Sequence, residues 1–295
     1  MSDGQWPAGA GLSAQIRQHL GGLSPSERRV ARVLLSGPPT IGLESSVRLA
    51  RHAGVSGPTV SRFIARLGFA NYGEFQHALR DEIAARVMSP VEVYRRHQVT
   101  HPSGDLLSAC AATMGEAVAT SVRELSQADF ERATSLLAEQ SGQVLTAGGG
   151  FSYLLAGYLA AILRQIRPQV RAVLPVASER AAAVADLRKK DVVVVFDFRR
   201  YERDTLELAR AARAASARIV LLTDPWLSPV AEIADAVLPA QVTGPSPFES
   251  LTPTLAVVET LITAVADALG EKGRRRLERY GGMAELWAKH WPAAD

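Results

Sequence analysis

The apolar run at 192–196, Val-Val-Val-Val-Phe, constrains the fold of this chain more than any other feature. β-branched and aromatic side chains without a polar interruption are typical of a strand that is buried on both faces of a sheet. Further short strands are predicted at 144–147, 170–173, 219–223 and 236–238, and helices at 106–122, 128–139, 152–165, 204–214 and 252–269. Strands that alternate with helices predict a doubly wound, parallel α/β domain.

The N-terminal third of the chain has helical periodicity throughout. Ser24-Pro25-Ser26-Glu27 predicts a helix start, with Ser24 as the N-cap and Glu27 closing a capping box. His101-Pro102-Ser103-Gly104 predicts a linker. The sequence therefore predicts four regions, which are an all-helical domain at 12–98, a linker and connecting helix at 99–127, the α/β domain at 128–270 and a helical tail at 271–295.

Residues 46–67 predict two short helices joined by a glycine-containing turn, the arrangement of a helix-turn-helix motif. Gly54 permits the left-handed backbone of the turn. Ser56 is predicted to cap the second helix, whose N-terminus can approach a phosphate. The side chains predicted to face inward are Val47, Leu49, Ala50, Ala53, Val60, Phe63, Ile64 and Leu67.

The polar face of this motif supplies the candidate DNA contacts. Thr59 and Arg62 are placed to reach base edges in the major groove. Phosphate contacts are predicted for Arg48, Arg51 and Arg66, and the remaining candidates on the face are Ser56, Pro58 and Ser61. Helical pairs with a glycine turn and surface arginines are also common without a specific ligand, so the motif alone leaves both interpretations open.

Positive charge is concentrated in the helical third. Residues 1–100 carry 12 Lys and Arg against 7 Asp and Glu, a balance of +5, whereas residues 101–295 carry 21 against 23, a balance of −2. A positive excess in the smaller, helical part is what a nucleic-acid-binding domain requires.

Composition excludes several other classes of protein. The single cysteine, Cys110, rules out an intramolecular disulfide framework and a cysteine-rich zinc site. No uninterrupted apolar run approaches the roughly 18 residues of a membrane helix, and the N-terminus does not resemble a signal peptide. We therefore expect a cytoplasmic protein that has no membrane partner, metal site or cofactor.

An ordered set of residues resembles the N-terminal domain of RpiR-like transcription regulators. The matching stretches are Leu23-Ser24-Pro25-Ser26-Glu27-Arg28-Arg29-Val30-Ala31, Leu49-Ala50, Ala53-Gly54-Val55-Ser56, Thr59-Val60-Ser61-Arg62-Phe63, Leu67-Gly68-Phe69 and Tyr72-Gly73-Glu74-Phe75. The resemblance implies a DNA-binding head on a sugar isomerase-type (SIS) sensor domain. It also implies a homodimer or homotetramer on a palindromic double-stranded DNA operator, and a single small head indeed offers few contacts for tight specific binding.

The segment 144–152 predicts a strand, a glycine turn and the start of a helix. Glycines let the backbone approach a ligand, and N–H groups at a helix start favour an anion. By itself the pattern is weak, because every α/β fold needs a tight turn after a strand. In position, Gly148, Gly150 and Ser152 resemble the G-x-G-x-S ligand loop of SIS domains, and this resemblance covers about 140–270.

The loop after the second core strand departs from the family. SIS domains that bind phosphosugars typically carry S-x-S-G-x-T there, whereas this chain has Asp197, Arg199, Arg200 and Glu202 at the serine, serine, glycine and threonine positions. An aspartate would repel a phosphate, but Arg199 or Arg200 could bind a phosphate or carboxylate bidentately. Alternatively, Asp197–Arg199 or Arg200–Glu202 pairs only brace the loop or a subunit interface.

A third segment, 244–252, precedes the last long helix. Ser246, Glu249 and Ser250 are candidate effector contacts there, because the family implies serine and acidic contacts in this region. The sequence thus predicts a non-enzymatic transcription regulator whose operator affinity is modulated by a small anionic metabolite, either a sugar phosphate or a carboxylate. The alternatives are a phosphosugar isomerase-type enzyme and a ligand-independent DNA-binding oligomer.

Overall fold

A computed structural model describes Leu12, Ile16, Tyr94 and the segments 22–36, 39–87 and 106–289 of the 295 residues. The predicted linker at 101–104 lies outside the described residues. The chain divides into two compact units. The first comprises the described residues up to Gly115 together with 225–227 and 243–250, and the second comprises 116–224, 228–242 and the residues from Leu251 onward.

The first unit is built from short helices. They are α1 (Pro25–Ser36), a 3-10 turn (Pro39–Leu43), α2 (Ser46–Ala53), α3 (Gly57–Arg66) and α4 (Tyr72–Val87). The predicted capping box is confirmed, since the Ser24 N–H donates to Glu27 Oε2 over 2.8 Å and the Glu27 N–H donates to Ser24 Oγ over 3.3 Å. Gly54 ends α2 in the left-handed conformation with φ 61°, as the turn requires.

The core of the helical unit confirms the inward face with one exception. Its buried members include Leu49, Ala50, Ala53, Val60, Phe63, Ile64 and Leu67. Val47, which was predicted to face inward, is 63% exposed. It precedes Leu49 by two residues, which is about 200° around a helix, so the two side chains point to opposite faces.

The second unit alternates strands and helices as predicted. After α5 (Leu106–Arg123), whose residues up to Gly115 belong to the first unit, come α6 (Gln127–Ala138), β1 (Val144–Gly148), α7 (Tyr153–Ile166), β2 (Val170–Val173), α8 (Ala177–Ala185), β3 (Val192–Asp197), α9 (Arg203–Ala214), β4 (Arg218–Thr223), a 3-10 turn (Pro229–Glu232), β5 (Ala236–Pro239) and α10 (Thr252–Lys289). Sequence periodicity did not predict α8. Its apolar residues, apart from Val184, are all alanines and give no helical stripe.

The five strands form one parallel sheet in the order β2-β1-β3-β4-β5. Both faces are covered: alternate residues of β3, such as Val192, Val194 and Phe196, join a core with α6, α7 and α10, whereas α8 and α9 pack together and α9 packs on β3 and β4. Because every residue of β3 is buried, its sequence is continuously apolar up to Asp197.

The last helix is longer than predicted. It continues from Thr252 to Lys289, and Gly270 forms a kink with φ 49° and ψ −128°. Residues 252–283 are long and apolar enough to cross a membrane by length and composition alone. However, Val257, Val258 and Leu261 are fully buried in the core of the α/β unit, which identifies α10 as a core helix of a folded domain.

Arg167, at the C-terminal end of α7, is the largest fully buried side chain among the described residues. Its Nη1 donates to the carbonyl oxygen of Leu137 over 2.6 Å, and its Nη2 donates to that of Gly142 over 2.7 Å. Burial lowers the pKa of this guanidinium to about 10, although Glu139 acts in the opposite direction. The arginine remains charged at neutral pH and joins the end of α6 to the approach to β1.

Replacement of Arg167 by methionine should destabilise the α/β unit by roughly 1–3 kcal/mol, because two buried carbonyl groups lose their donors. Chemical denaturation followed by circular dichroism measures the loss. Arg164→Met, an exposed position on the same helix, is the matched control and should change stability by less than about 0.5 kcal/mol. Equal stability of the two variants would contradict this role for Arg167.

Candidate functional site

The direction of chain winding changes between β1 and β3. β1 is followed by β2 on one side of the sheet, whereas β3 is followed by β4 on the other. In open α/β sheets, ligands bind in the crevice outside the carboxyl ends of the strands at such a switch point. Gly148 at the end of β1 lies in register with Phe196 near the end of β3, so the glycine turn and the loop at 197–202 both belong to this crevice.

The hydroxyl group of Ser152 holds the crevice together. Ser152 is buried, and its Oγ lies 2.8 Å from the carbonyl oxygen of Gly149 and 3.0 Å from that of Phe196, while it accepts a hydrogen bond from the Gly149 N–H. One side chain therefore ties the glycine turn to the end of β3. In this arrangement Ser152 braces the site, a role that sequence reasoning did not predict.

The loop at 197–202 is anchored by Asp197. Asp197 is buried, and its carboxylate accepts hydrogen bonds from the Ser228 hydroxyl and from the Glu202 N–H. Burial raises the pKa of Asp197 to about 6, although these two hydrogen bonds and the charge of Arg180 act in the opposite direction. The carboxylate thus faces protein donors, and its predicted contact with an effector stays a prediction.

The two loop arginines differ in exposure. Arg199 is half-buried, whereas Arg200 is exposed and has a positive φ of 80°. Among the described residues, no ion pair joins Arg200 to Glu202, so one of the two alternative bracing pairs of this loop is absent. Both arginines stay candidate effector contacts.

Arg180, on the unpredicted helix α8, is the residue that sequence reasoning missed. Its side chain is buried, with Nη2 at 3.2 Å from the carbonyl oxygen of Gly148 and 3.5 Å from Thr205 Oγ1. Nη1 is also buried and has no hydrogen-bond partner. A guanidinium group therefore lies beneath the crevice, between the end of β1 and the first turn of α9, with an unused donor.

The third predicted segment is a compact loop. The Ser246 hydroxyl accepts from the Phe248 N–H over 3.2 Å, and Ser250 packs beside Gly244. Glu249 is exposed. The effector contacts predicted for Ser246, Glu249 and Ser250 stay predictions. Among the described residues, no group of three or more His, Cys, Asp or Glu side chains could hold a metal ion.

In the helical unit, α3 presents a polar face, but Thr59 is not on it. Thr59 is buried because it precedes Phe63 by one helical turn and shares its inward face. Its hydroxyl lies 3.0 Å from Ser56 Oγ and accepts from Arg62 Nη2 over 3.4 Å. The expectation that Thr59 is exposed was therefore wrong. Thr59 instead helps to position the exposed Arg62.

Arg66 also has partners inside the protein. Its Nη1 donates to the Gly22 carbonyl oxygen over 2.8 Å, and its Nε lies 3.4 Å from Glu27 Oε1. Burial would raise the pKa of Glu27, but hydrogen bonds from Ser24 and the charges of Arg66 and Arg62 lower it overall. Arg66 thus joins α3 to the start of α1.

The remaining DNA-contact candidates lie at the surface. Arg48 forms an ion pair of 3.5 Å with Glu44, and its side chain is 65% exposed. Ser56 does not cap α3 through its side chain, contrary to the prediction. The exposed candidates are Arg48, Arg51, Ser56, Pro58, Ser61, Arg62 and Arg66, and their contacts with DNA stay predictions.

A helix-turn-helix unit and a doubly wound sheet with an anion-favouring turn together define a DNA-binding regulator with a sensor domain. The family model for the helix-turn-helix domain of the rpiR family matches residues 10–86, and that for the SIS domain matches residues 136–264. The chain belongs to the RpiR-like transcription regulators. It is similar to the HTH-type transcriptional regulator HexR of Pseudomonas aeruginosa, at 29% identity over 91% of this chain and 93% of that protein.

Solved structures agree with this fold. The sugar isomerase domain of an RpiR transcription factor from Sphaerobacter thermophilus matches with a TM-score of 0.56 and 25% identity, over 60% of this chain and 99% of that one. The Vibrio vulnificus NanR protein, solved as a complex with ManNAc-6P, matches with a TM-score of 0.54 and 17% identity, over 96% of this chain and 100% of that one.

The raised pKa of Asp197 predicts a specific pH dependence of stability. The folded state holds a proton on Asp197 up to about pH 6, whereas the unfolded chain releases it near pH 4, so this group makes stability fall as pH rises through that window. Asp197→Asn should remove this loss, which is on the order of 2–3 kcal/mol. Denaturation of both proteins between pH 4 and pH 7 measures the difference. A stability gap that does not change with pH would contradict the assignment.

Proposed function

We propose that this chain controls transcription by binding a double-stranded DNA operator with an affinity that a small anionic metabolite modulates. The metabolite binds at the switch point, between the ends of β1 and β3. The observation that carries the proposal is the presence, in one chain, of a helix-turn-helix unit and a glycine turn at a helix start beside a buried guanidinium.

The effector belongs to the class of sugar phosphates or carboxylates. A relative of the same fold, NanR, was solved with ManNAc-6P, which supports a phosphorylated sugar. Within this chain, Arg180, Arg199 and Arg200 can supply positive charge near the turn formed by Gly148 and Gly150. Through its contact with Ser228, Asp197 anchors the loop that carries Arg199 and Arg200.

The chain is not an enzyme in this proposal. SIS domains also occur in isomerases, and isomerisation needs a positioned base beside the sugar carbons. Residues 102–289 contain no histidine, and the hydroxyl-rich loop typical of phosphosugar sites is replaced at 197–202. The full-length relative HexR is a transcriptional regulator, which supports the same conclusion. Conversion of phosphosugars by the purified protein would favour the enzyme.

The regulator acts in the cytoplasm as a homodimer or homotetramer. One helical unit of this size makes few base contacts. Two such units on a palindromic operator make twice as many, which specific binding needs. A protein whose operator affinity no metabolite changes would instead be a ligand-independent DNA-binding oligomer.

Arg62→Ala should weaken operator binding by about 1–3 kcal/mol and relax the sequence preference, because an exposed arginine on α3 loses its contact with base edges. Binding of operator and scrambled DNA at fixed salt, measured by fluorescence anisotropy, tests this. Arg80→Ala, an exposed arginine on α4, removes the same charge outside the motif and is the control. If both variants lose affinity equally for both DNAs, Arg62 does not read bases.

Arg48→Ala should weaken binding to operator and scrambled DNA to a similar extent, because this arginine contacts phosphates. The dependence of log affinity on log salt should lose about one unit of slope. Titrations at several salt concentrations measure the slope, and an unchanged slope would remove Arg48 from the phosphate contacts.

A metabolite that binds the sensor unit should raise its stability. At about 100 times its dissociation constant, a ligand adds roughly 2.7 kcal/mol. Thermal unfolding in a panel of sugar phosphates, amino acids and other carboxylates identifies it, and the hit should then change operator affinity. If no compound of the panel shifts the thermal stability of the protein, the result favours a ligand-independent DNA-binding oligomer.

A further inference from the structure

The glycine turn at the switch point already has an occupant, the carboxylate of Glu202. A methyl group on Gly149 would overlap both oxygens of this carboxylate, and one on Gly150 would lie 3.4 Å from Oε1. Glu202 is the N-cap residue of α9, yet its side chain does not cap that helix. The carboxylate instead rests against the turn that precedes α7.

The contact of this carboxylate with the turn is a van der Waals contact. Within the described part of the chain, the Glu202 carboxylate accepts no hydrogen bond and forms no ion pair. Its side chain is exposed and has rotatable bonds, so it can leave the turn without disturbing a packed element. A carboxylate that contacts the backbone without a hydrogen bond is readily displaced by a ligand that forms hydrogen bonds there.

The surroundings of the turn suit an anion. Over the described residues, the N–H groups of Gly150 and Phe151 donate to no protein acceptor. Arg180, nine-tenths buried beneath the end of β1, keeps Nη1 without a partner. Two backbone donors of the turn that Glu202 contacts, and one guanidinium donor of the residue that bonds to the Gly148 carbonyl oxygen, therefore remain unused.

We propose that Glu202 is an internal competitor that determines the ligand specificity of this site. Its carboxylate and the phosphate group of a ligand compete for the same place over Gly149, so Glu202 weakens the binding of phosphate-bearing compounds. The proposal rests on the proposed function, in that it assumes a ligand site at the switch point. In the absence of a ligand, the Glu202 carboxylate is then the anion that lies against the turn.

The charge of Glu202 should change the affinity for phosphate by an amount that is large enough to measure. Two like unit charges about 4 Å apart repel each other, and with the solvent screening of an exposed side chain this repulsion still changes a dissociation constant by roughly tenfold. Removal of the carboxylate eliminates both the repulsion of phosphate and the need to displace the side chain.

The experiment measures the dissociation constant of inorganic phosphate by calorimetry at constant ionic strength, using the full-length protein. Glu202→Gln removes the charge but keeps the shape, and Glu202→Ser also empties the place over Gly149. Glu207→Gln is the matched control, since Glu207 lies on the same helix and pairs with Arg210 at the surface. We expect the dissociation constant to fall roughly tenfold or more in both Glu202 variants and to stay unchanged in Glu207→Gln.

A double variant tests where the additional phosphate affinity arises. Gly149→Ala combined with Glu202→Ser places a methyl group where the carboxylate lay, and it should cancel the gain of Glu202→Ser. Persistence of the gain in this double variant would put the phosphate elsewhere and overturn the proposal. An equal gain in Glu207→Gln would also overturn it, because the gain in affinity would then follow from the loss of any negative charge on this helix.

The outcome separates this inference from the proposed function. If phosphate affinity is the same with and without Glu202 while a metabolite of the panel stabilises the wild-type protein, the competitor role fails and the sensor function stands. If no compound stabilises either the wild-type protein or Glu202→Ser, both fail.

Discussion

The hydroxyl group of Ser152 is the interaction on which the rest of the ligand crevice depends. It is one oxygen atom between the turn after β1 and the end of β3, two segments that are 44 residues apart in sequence. The strands β1 and β3 stay paired up to Gly148 and Phe196, but the connections that follow them run to opposite sides of the switch point, and this hydroxyl links the two. Asp197 then fixes the next loop through Ser228, so two buried polar contacts define the shape of the crevice before any ligand is present.

Much of the fold follows from sequence patterns that act locally. The apolar run of β3 and the capping box of Ser24 and Glu27 were predicted and confirmed, because each depends on residues close together in the chain. The errors have equally local causes. Val47 and Thr59 were assigned to the wrong faces because one residue of helix phase changes the direction of a side chain by 100°, and α8 lacks the apolar stripe that periodicity detects.

The candidate site was only partly predictable. The glycine turn and the altered loop are visible in sequence, and both lie at the switch point. By contrast, Arg180 and Gly148 are 32 residues apart, and their contact depends on a helix that the pattern did not reveal. The contact between Glu202 and Gly149 likewise depends on side-chain direction across two strands, which no local spacing encodes.

The kink at Gly270 divides the last helix into two parts that obey different rules. Up to Leu269 the helix is packed into the α/β core, whereas beyond the kink Glu271, Arg274, Arg275 and Glu278 pair with one another along a solvent-facing row. The backbone dihedral angles at Gly270 are not helical, so the helix axis breaks there, and Arg276 beyond the break still donates to the carbonyl oxygen of Arg164 on α7. The charged side chains of that row, unlike the apolar ones before the kink, can therefore be replaced without opening the hydrophobic core.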